Sequence, residues 1–205
     1  MVYDLLPIHR PDWFPKAIAT AFPSWLTAIS SISDGLVAIS QAVADDLCEM
    51  LDGPATSDRR MLDIGFFHLG ADMESVQPSM GLPEDATLVL DELRAHRTFL
   101  MVGTVEPRKG HEQALTALDE LWSAGEEVNL VIVGRAGWGV DELASSLKTH
   151  RQYGTHLFWF DDASDEFLDL IYDASSALLV PSLGEGFGLP LIEAAKKNLP
   201  IIARD

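Results

Sequence analysis

From Phe99 to the end of the chain, short apolar runs alternate with segments whose apolar residues recur at helical spacing. The runs FLMVG, VNLVIVG, HLFWF, SALLVPS and LPIIARD are rich in β-branched and aromatic residues and predict strands. The segments HEQALTALDELWSAG, VDELASSLKTHR, DEFLDLIYDAS and PLIEAAKKN predict helices. In the first of these helices, the predicted apolar face consists of Leu115, Leu118, Leu121 and Trp122. Near-continuous apolar strands that alternate with helices predict an α/β fold with a parallel, doubly wound, Rossmann-like sheet.

The first part of the chain is less regular. DGLVAIS predicts a strand, Gln41 to Leu51 a helix and DIGFFHLGAD a further strand, while VYDLLPI is only strand-like. Residues 73–97 carry Pro, Gly and Met without a sustained period, which predicts a connection between domains. We therefore expect a first domain over residues 1–72 and a second over 98–205. No predicted element precedes the strand-like stretch at the start, and no helix follows the last predicted strand. This pattern favours the interpretation that the sequence is a piece of a longer protein.

Composition restricts the function. An apolar fraction of 47% in 205 residues supports a packed core, and a net charge of −18 disfavours nucleic acid and anionic lipid as partners. A single cysteine, Cys48, excludes an intrachain disulfide and fits a reducing compartment. No apolar run reaches the roughly 18 residues of a membrane span. We expect a cytoplasmic protein whose association with a membrane, if any, is peripheral.

Ligands of open parallel sheets bind at the carboxyl ends of the strands, so the loops after the strands are the candidate sites. The first loop, GTVEPRKG, has Gly103 and Gly110 at its ends and the cations Arg108 and Lys109 before a helix. Backbone amides, a helix N-terminus and two cations favour a phosphate site. A surface turn that bends at Pro107 is the alternative interpretation.

Two other loops give weaker indications. GRAGWG lacks the order and the first-strand position of a dinucleotide fingerprint, so NAD binding is not supported, although Gly134 allows a nucleotide to approach closely. FDDASDE could suggest a divalent metal, but Ser164 as N-cap followed by acidic residues in the first helical turn is the stronger interpretation. The chain has neither an H-E-x-x-H nor a G-x-S-x-G motif, so zinc-enzyme and hydrolase functions are not supported.

The loop after the fourth strand, EGFGLPLIE, carries a glutamate at each end. Glu185 lies in the predicted loop and Glu193 near the first turn of the following helix, with the bare amides of Gly186, Phe187 and Gly188 between them. A carboxylate can accept two hydrogen bonds from a vicinal diol, as in ribose or a hexose. Two carboxylates could therefore hold the two sugars of one diphosphate. The alternative is that Glu193 only favours the helix N-terminus and Glu185 is solvated.

Together these segments resemble the family-4 retaining glycosyltransferases of the GT-B fold. The residues that carry the resemblance are VGTVEPRKGHEQAL, LVIVG, SALLVPSLGEGFGLPLIEAAKKNLPIIARD and, more loosely, SDGLVAISQAVADDL, with the E-x7-E pattern at Glu185 and Glu193. The resemblance implies that residues 98–205 are most of the nucleotide-sugar domain and residues 1–72 the last part of the acceptor domain. The PRKG variant is similar to mannosyl- and rhamnosyltransferases of surface-polysaccharide assembly.

The resemblance also implies roles for individual residues. Arg108 and Lys109 would neutralise the diphosphate of the donor, Glu193 would hold its ribose, and Glu185 would contact the transferred sugar. No metal and no cofactor are expected. The donor would be a nucleotide-diphosphate sugar, with a GDP-sugar favoured, and the acceptor a glycan or lipid-linked glycan. The residues implied to approach the donor through their backbone are Gly103, Gly134, Gly186, Phe187, Gly188 and Leu189.

Two positions depart from the family pattern. Thr104 stands where many members have a basic residue, so one phosphate contact is missing. Tyr3 and Asp4 stand where many members have a histidine, and we assign no catalytic role there. A glycosyltransferase is the favoured function. A nucleotide-sugar-binding module without turnover and a pure interaction domain are the alternatives.

Overall fold

The computed structural model describes residues 1–51, 62–70 and 81–204, which form two compact units. The first unit comprises Met1–Gly70 together with Gly184–Gly188, and the second comprises Ala71–Leu183 together with Leu189–Asp205. The predicted domain boundary after residue 72 and residues 73–80 of the predicted connection lie outside the described residues.

The first unit is a small α/β structure. Two parallel strands pair with Leu36 opposite Ile64, and Val2 adds an isolated bridge to Ala38. The residues of VYDLLPI thus form one bridge and a short helix instead of a strand. The elements of this unit are α1 (Leu6–His9), α2 (Lys16–Ile32), β1 (Gly35–Ala38), α3 (Gln41–Leu51) and β2 (Asp63–Phe66).

The second unit contains the predicted parallel sheet. Its elements are α4 (Ala86–Ala95), β3 (Arg97–Val102), α5 (His111–Ser123), β4 (Val128–Val133), α6 (Asp141–Thr149), β5 (Leu157–Phe160), α7 (Asp165–Ala174), β6 (Ala177–Val180), α8 (Leu189–Lys196) and β7 (Ile201–Ala203). The strand order is β5-β4-β3-β6-β7, and all neighbours are parallel. This confirms the prediction of an α/β, Rossmann-like sheet.

Helices cover both faces of this sheet. Val131 and Val133 of β4 belong to one apolar cluster together with residues of α4, α7 and α8. Leu130 and Ile132 belong to a second cluster together with residues of α5 and α6. Successive strand residues point to opposite faces, so a strand buried on both faces must be apolar throughout. This explains the continuous apolar runs in the sequence.

Three local features differ from the sequence predictions. Residues 86–95 of the predicted connection form α4, whose Leu90 and Leu93 are buried in the sheet core. The sequence pattern predicts no element over α2, because Pro23 interrupts its period. Leu121 of α5 is predicted on the buried face but is 38% exposed. In each case tertiary packing, which a local pattern does not show, decided the outcome.

None of the helices described in residues 1–51, 62–70 and 81–204 is long and apolar enough to cross a bilayer.

Candidate active site

The strand order places a topological switch point beside β3. The chain moves from β3 to β4 and β5 on one side and then returns to β6 on the other. In open α/β sheets, ligands bind outside the carboxyl ends of the strands at this point. The loops after β3 and β6, which contain most of the predicted site residues, therefore lie at the position that the topology favours.

A hydrogen bond joins these two loops. The loop after β3 contains a single 3-10 turn, Pro107–Lys109. The backbone amide of Leu183, in the loop after β6, donates to the carbonyl oxygen of Arg108 at 2.7 Å. The cationic turn is thereby fixed at the switch point by an interaction that no local sequence pattern predicts.

Lys109 lies close to the end of β3. A Cβ atom placed on Gly103 would be 3.7 Å from the Nζ atom of Lys109 and 3.8 Å from its Cε atom. The ammonium group and the backbone of Gly103, which has no side chain to separate them, are therefore neighbours. A cation at the end of a parallel strand is suited to contact a phosphate group.

Arg108 is engaged within the protein. Its Nη2 atom lies 2.7 Å from Oε1 of Glu106, and the two side chains are 13% and 3% exposed. The sequence predictions assign no role to Glu106. The sequence indicates this ion pair only by the position of an acidic residue two residues before Arg108 in GTVEPRKG. The charge of Arg108 is thus paired to a buried carboxylate.

Gly134 brings a second strand end to the same place. Its backbone has φ 148°, and a Cβ atom there would lie 2.6 Å from the carbonyl carbon of Gly103. Any other residue would collide with the end of β3. The carbonyl oxygen of Gly134 accepts a hydrogen bond from Nε1 of Trp159 at 2.8 Å. The absence of a side chain at Gly134 therefore allows the ends of β3 and β4 to stay in contact at Gly103, the residue next to the Lys109 ammonium group.

Glu193 is held by a tyrosine that is absent from the sequence predictions. Helix α8 begins at Leu189, one residue before the predicted Pro190, which places Glu193 at its fifth position. The hydroxyl group of Tyr172 donates to Oε2 of Glu193 at 2.6 Å. Tyr172 is 2% exposed. Burial, followed by the hydrogen bond and the charge of Glu193, raises the pKa of Tyr172 well above its ordinary value.

Four predicted site residues, Glu185 to Gly188, belong to the first unit. The neighbouring Gly184 is packed so that a Cβ atom would lie 2.9 Å from Cζ3 of Trp13, and one on Gly186 would lie 2.9 Å from the carbonyl oxygen of Tyr3. Phe187 is half-buried and Gly188 is buried. The absence of side chains at Gly184 and Gly186 thus allows the loop around Glu185 to pack closely against Trp13 and Tyr3.

The acidic loop FDDASDE behaves as the capping interpretation predicts. The hydroxyl group of Ser164 accepts a hydrogen bond from the amide of Phe167 at 3.1 Å and donates to the carbonyl oxygen of Gly81 at 2.6 Å. Asp165 and Glu166 occupy the first turn of α7. Asp161 lies 3.9 Å from Nζ of Lys148.

Comparison with known proteins identifies the family of the chain. The family model of group 1 glycosyl transferases matches residues 92–205, which include both loops at the switch point. The chain belongs to this glycosyltransferase family. The match covers more than half of the chain, including β3 to β7 with Lys109, Glu185 and Glu193.

The match to one curated relative extends over the first unit as well. The serotype-specific mannosyltransferase WbdA of Escherichia coli is 45% identical over 207 residues, which is 100% of this chain and 25% of the relative. The O-antigen chain mannosyltransferase RfbU of Salmonella typhimurium is 31% identical over 52% of this chain and 29% of its own length. The chain thus spans about a quarter of the length of the curated relatives it matches.

Solved structures share the fold. Anabaena Alr3699/HepE, crystallised with UDP and glucose, superimposes with a TM-score of 0.66 at 17% identity over 98% of this chain and 51% of that chain. A trehalose-6-phosphate synthase from Burkholderia multivorans gives a TM-score of 0.63 at 14% identity over 89% of this chain and 46% of that chain. The fold is thus the GT-B fold of glycosyltransferases.

Proposed function

We propose that this chain is the donor-binding part of a retaining glycosyltransferase of surface-polysaccharide biosynthesis. In the proposed reaction, a hexose, most simply mannose, passes from a nucleotide-diphosphate sugar to a glycan or lipid-linked acceptor. The observation that carries the proposal is the placement of Lys109 beside Gly103 at the switch point. Membership in the group 1 family and the identity to a relative named mannosyltransferase support it.

In this proposal the ammonium group of Lys109 contacts the diphosphate of the donor. Negative charge develops on the leaving nucleoside diphosphate as the bond from the anomeric carbon to the phosphate oxygen breaks. A cation fixed next to that oxygen stabilises the transition state more than the ground state. Arg108 adds to the positive potential while its ion pair with Glu106 fixes the turn.

The sugars of the donor are assigned to the two glutamates. Glu193, at the end of the sheet where α8 begins, accepts hydrogen bonds from the ribose hydroxyls. Glu185 contacts the transferred sugar, and the amides of Gly186, Phe187, Gly188 and Leu189 bind its hydroxyls. Carboxylates serve this purpose because they only accept hydrogen bonds, whereas sugar hydroxyls can donate them.

Retention of configuration follows from attack on the same face of the sugar. The acceptor hydroxyl oxygen bonds to the anomeric carbon while the bond to the phosphate oxygen breaks. The acceptor proton passes to an oxygen of the departing phosphate. The products are a glycoside with the original configuration and a nucleoside diphosphate, and no metal or cofactor takes part.

The proposal also includes the nucleotide of the donor and the cellular location of the protein. A GDP-sugar is the favoured donor, on the similarity to mannosyltransferases, although HepE, a structural neighbour, was crystallised with UDP. We also propose a cytoplasmic location with at most peripheral contact with a membrane, on the acidic composition and the single cysteine.

Titration calorimetry with GDP and GDP-mannose tests the donor site. Lys109→Ala and Glu193→Ala are each expected to weaken binding by about 10- to 100-fold, the effect of one hydrogen bond to a charged group. Matched controls are Lys16→Ala and Glu112→Ala, whose side chains are exposed in the first turns of α2 and α5. Unchanged affinity in both site variants would contradict the proposal.

A binding module without turnover is the second candidate, because the chain spans about a quarter of the length of its curated relatives. Release of GDP from GDP-mannose in the presence of acceptor oligosaccharide distinguishes the two functions. The assay compares this chain with a longer protein that contains it. Donor binding by both and turnover by neither would favour the binding module.

A further inference from the structure

Two polar contacts link α7 to α8 and to Lys197, the residue that directly follows α8. One is buried, where the hydroxyl group of Tyr172 donates to Oε2 of Glu193 at 2.6 Å. The other lies nearer the surface, where Nζ of Lys197 contacts Asp169 at 2.7 Å and Asp173 at 3.0 Å. The salt bridges do not involve Glu193. The tyrosine contact has the more specific consequence, because it ends on the Glu193 carboxylate itself.

The direction of the hydrogen bond is fixed by chemistry. An ionised carboxylate can only accept, so the phenol must donate. Tyr172 belongs to the apolar core of the sheet together with Phe167, Ile171 and Leu178 and is 2% exposed, so close-packed neighbours restrict its ring. A short hydrogen bond from a buried ring favours one orientation of the acceptor.

One carboxylate oxygen is left available for a ligand. Glu193 is half-buried, and its Oε1 atom makes no hydrogen bond with any of the described residues. With Oε2 anchored, Oε1 and the second lone pair of Oε2 have defined directions. A vicinal diol needs two acceptor positions with a fixed separation and orientation, which a freely rotating glutamate does not provide.

We propose that Tyr172 is a positioning residue that orients the Glu193 carboxylate to accept hydrogen bonds from the 2′- and 3′-hydroxyl groups of the donor ribose. This inference rests on the proposed function, in which Glu193 binds the ribose. In this inference, the selection of ribonucleotides over 2′-deoxyribonucleotides depends on α7, a helix that lies outside the loops of the site. A site built to bind a hydroxyl group discriminates against the analogue that lacks it, because its acceptor is then left unpaired.

The test is the ratio of two affinities, measured by calorimetry on the intact chain. GDP is compared with 2′-deoxyGDP, and UDP with 2′-deoxyUDP. Tyr172→Phe is expected to lower the ribose-to-deoxyribose affinity ratio by about three- to ten-fold, the effect of losing one anchoring hydrogen bond. Both affinities come from one preparation, so the ratio does not depend on the folded fraction.

Lys197→Met is the matched control. It removes the salt bridges between α7 and the residue that follows α8 but leaves the Tyr172 hydroxyl and Glu193 in place. An unchanged ratio in Lys197→Met together with a lowered ratio in Tyr172→Phe supports the inference. An equal fall in both variants would show that only helix packing matters, and no fall in Tyr172→Phe would overturn the inference directly.

A double-mutant cycle separates this inference from the proposed function. If Tyr172 acts through Glu193, then Tyr172→Phe causes no further fall in the ratio when Glu193 is already replaced by Gln. An additional, independent fall would overturn the inference. If Glu193→Gln alone leaves the ratio unchanged while GDP or UDP still binds, the ribose role of Glu193 itself is wrong. Absence of binding of either diphosphate would contradict the proposed function as a whole.

Discussion

At the scale of single residues, His111 is a buried base beside the proposed phosphate site. It is the first residue of α5 and is 3% exposed. Its Nδ1 atom has no hydrogen-bonding partner among the described residues. Burial, and secondarily the charge of Lys109, lowers the pKa of His111 to about 4. The imidazole of His111 is therefore neutral at physiological pH.

This shift predicts a specific pH dependence of stability. The pKa in the unfolded chain is about 6.5, and in the folded chain it is about 4. Between these values the unfolded chain binds a proton that the folded chain excludes, so stability falls as the pH is lowered from 6.5 towards 4. The full difference amounts to about 3 kcal/mol, at about 1.4 kcal/mol per pKa unit.

Urea unfolding at several pH values between 4 and 7 measures this effect. His111→Leu cannot bind the proton and is expected to lose less stability than the wild type over this range. His68→Gln, which removes an exposed histidine, is the control and should follow the wild type. Parallel curves for wild type and His111→Leu would show that His111 is not the group responsible.

At the scale of elements, the ends of β3 and β4 form one backbone platform. The amide of Gly103 donates to the carbonyl oxygen of Val133, and the amide of Val105 donates to that of Arg135, both at 2.9 Å. The paired backbones thus continue past the ends of the strands. The close contact between these two backbones requires glycine at position 134, because a Cβ atom there would collide with Gly103.

Replacement of Gly134 by alanine is expected to damage both stability and nucleotide binding. The new Cβ atom would collide with Gly103 and force β3 and β4 apart, which also displaces the backbone next to Lys109. We expect a loss of about 3 kcal/mol, at the upper end of the range for overpacked positions and for residues with a strained backbone. Melting temperature and GDP affinity are the two measurements.

Gly154→Ala is the control for this prediction. Gly154 also has a positive φ, 80°, but an added Cβ atom meets nothing within 4 Å. It should lose only the roughly 1 kcal/mol that the backbone conformation costs a residue with a side chain, and GDP affinity should be unchanged. Equal effects of the two substitutions would show that the contact with Gly103 has no importance of its own.

At the scale of the whole molecule, the proposed function assigns different parts of the donor to different segments of the chain. Lys109 and Glu193 are assigned to the diphosphate and the ribose, and Glu185 is assigned to the transferred sugar. GDP and GDP-mannose differ in that sugar. Their effects on the segment around Glu185 should therefore differ.

Hydrogen exchange followed by mass spectrometry tests this division. At 100 times its dissociation constant, GDP stabilises the state that binds it by about 2.7 kcal/mol. The slowest amides of β3 and β4 should then exchange about 100-fold more slowly, with smaller changes in α2 and β1. GDP-mannose should in addition protect Gly184–Gly188. Protection of that segment by GDP alone, with no further change on adding the sugar, would contradict the assignment of Glu185.

Much of the second unit could be predicted from local sequence. The strands, the helices between them and the capping role of Ser164 depend on periodicity and short-range hydrogen bonds, which neighbouring residues reveal. The candidate site residues could be named from the sequence because ligands of open parallel sheets bind in the loops after the strands. α2 and α4 were missed, because a proline and short apolar segments hide helices that tertiary packing stabilises.

The sequence alone therefore determined the α/β class, the family and the loops that contain Lys109, Glu185 and Glu193. The tertiary structure decided the strand order with its switch point, the ion pair of Arg108 with Glu106 and the hydrogen bond of Tyr172 to Glu193. The reason is physical. Local patterns record which residues face the core and which turns the backbone can make. The partner of a buried polar group in another element is chosen only when distant segments pack together.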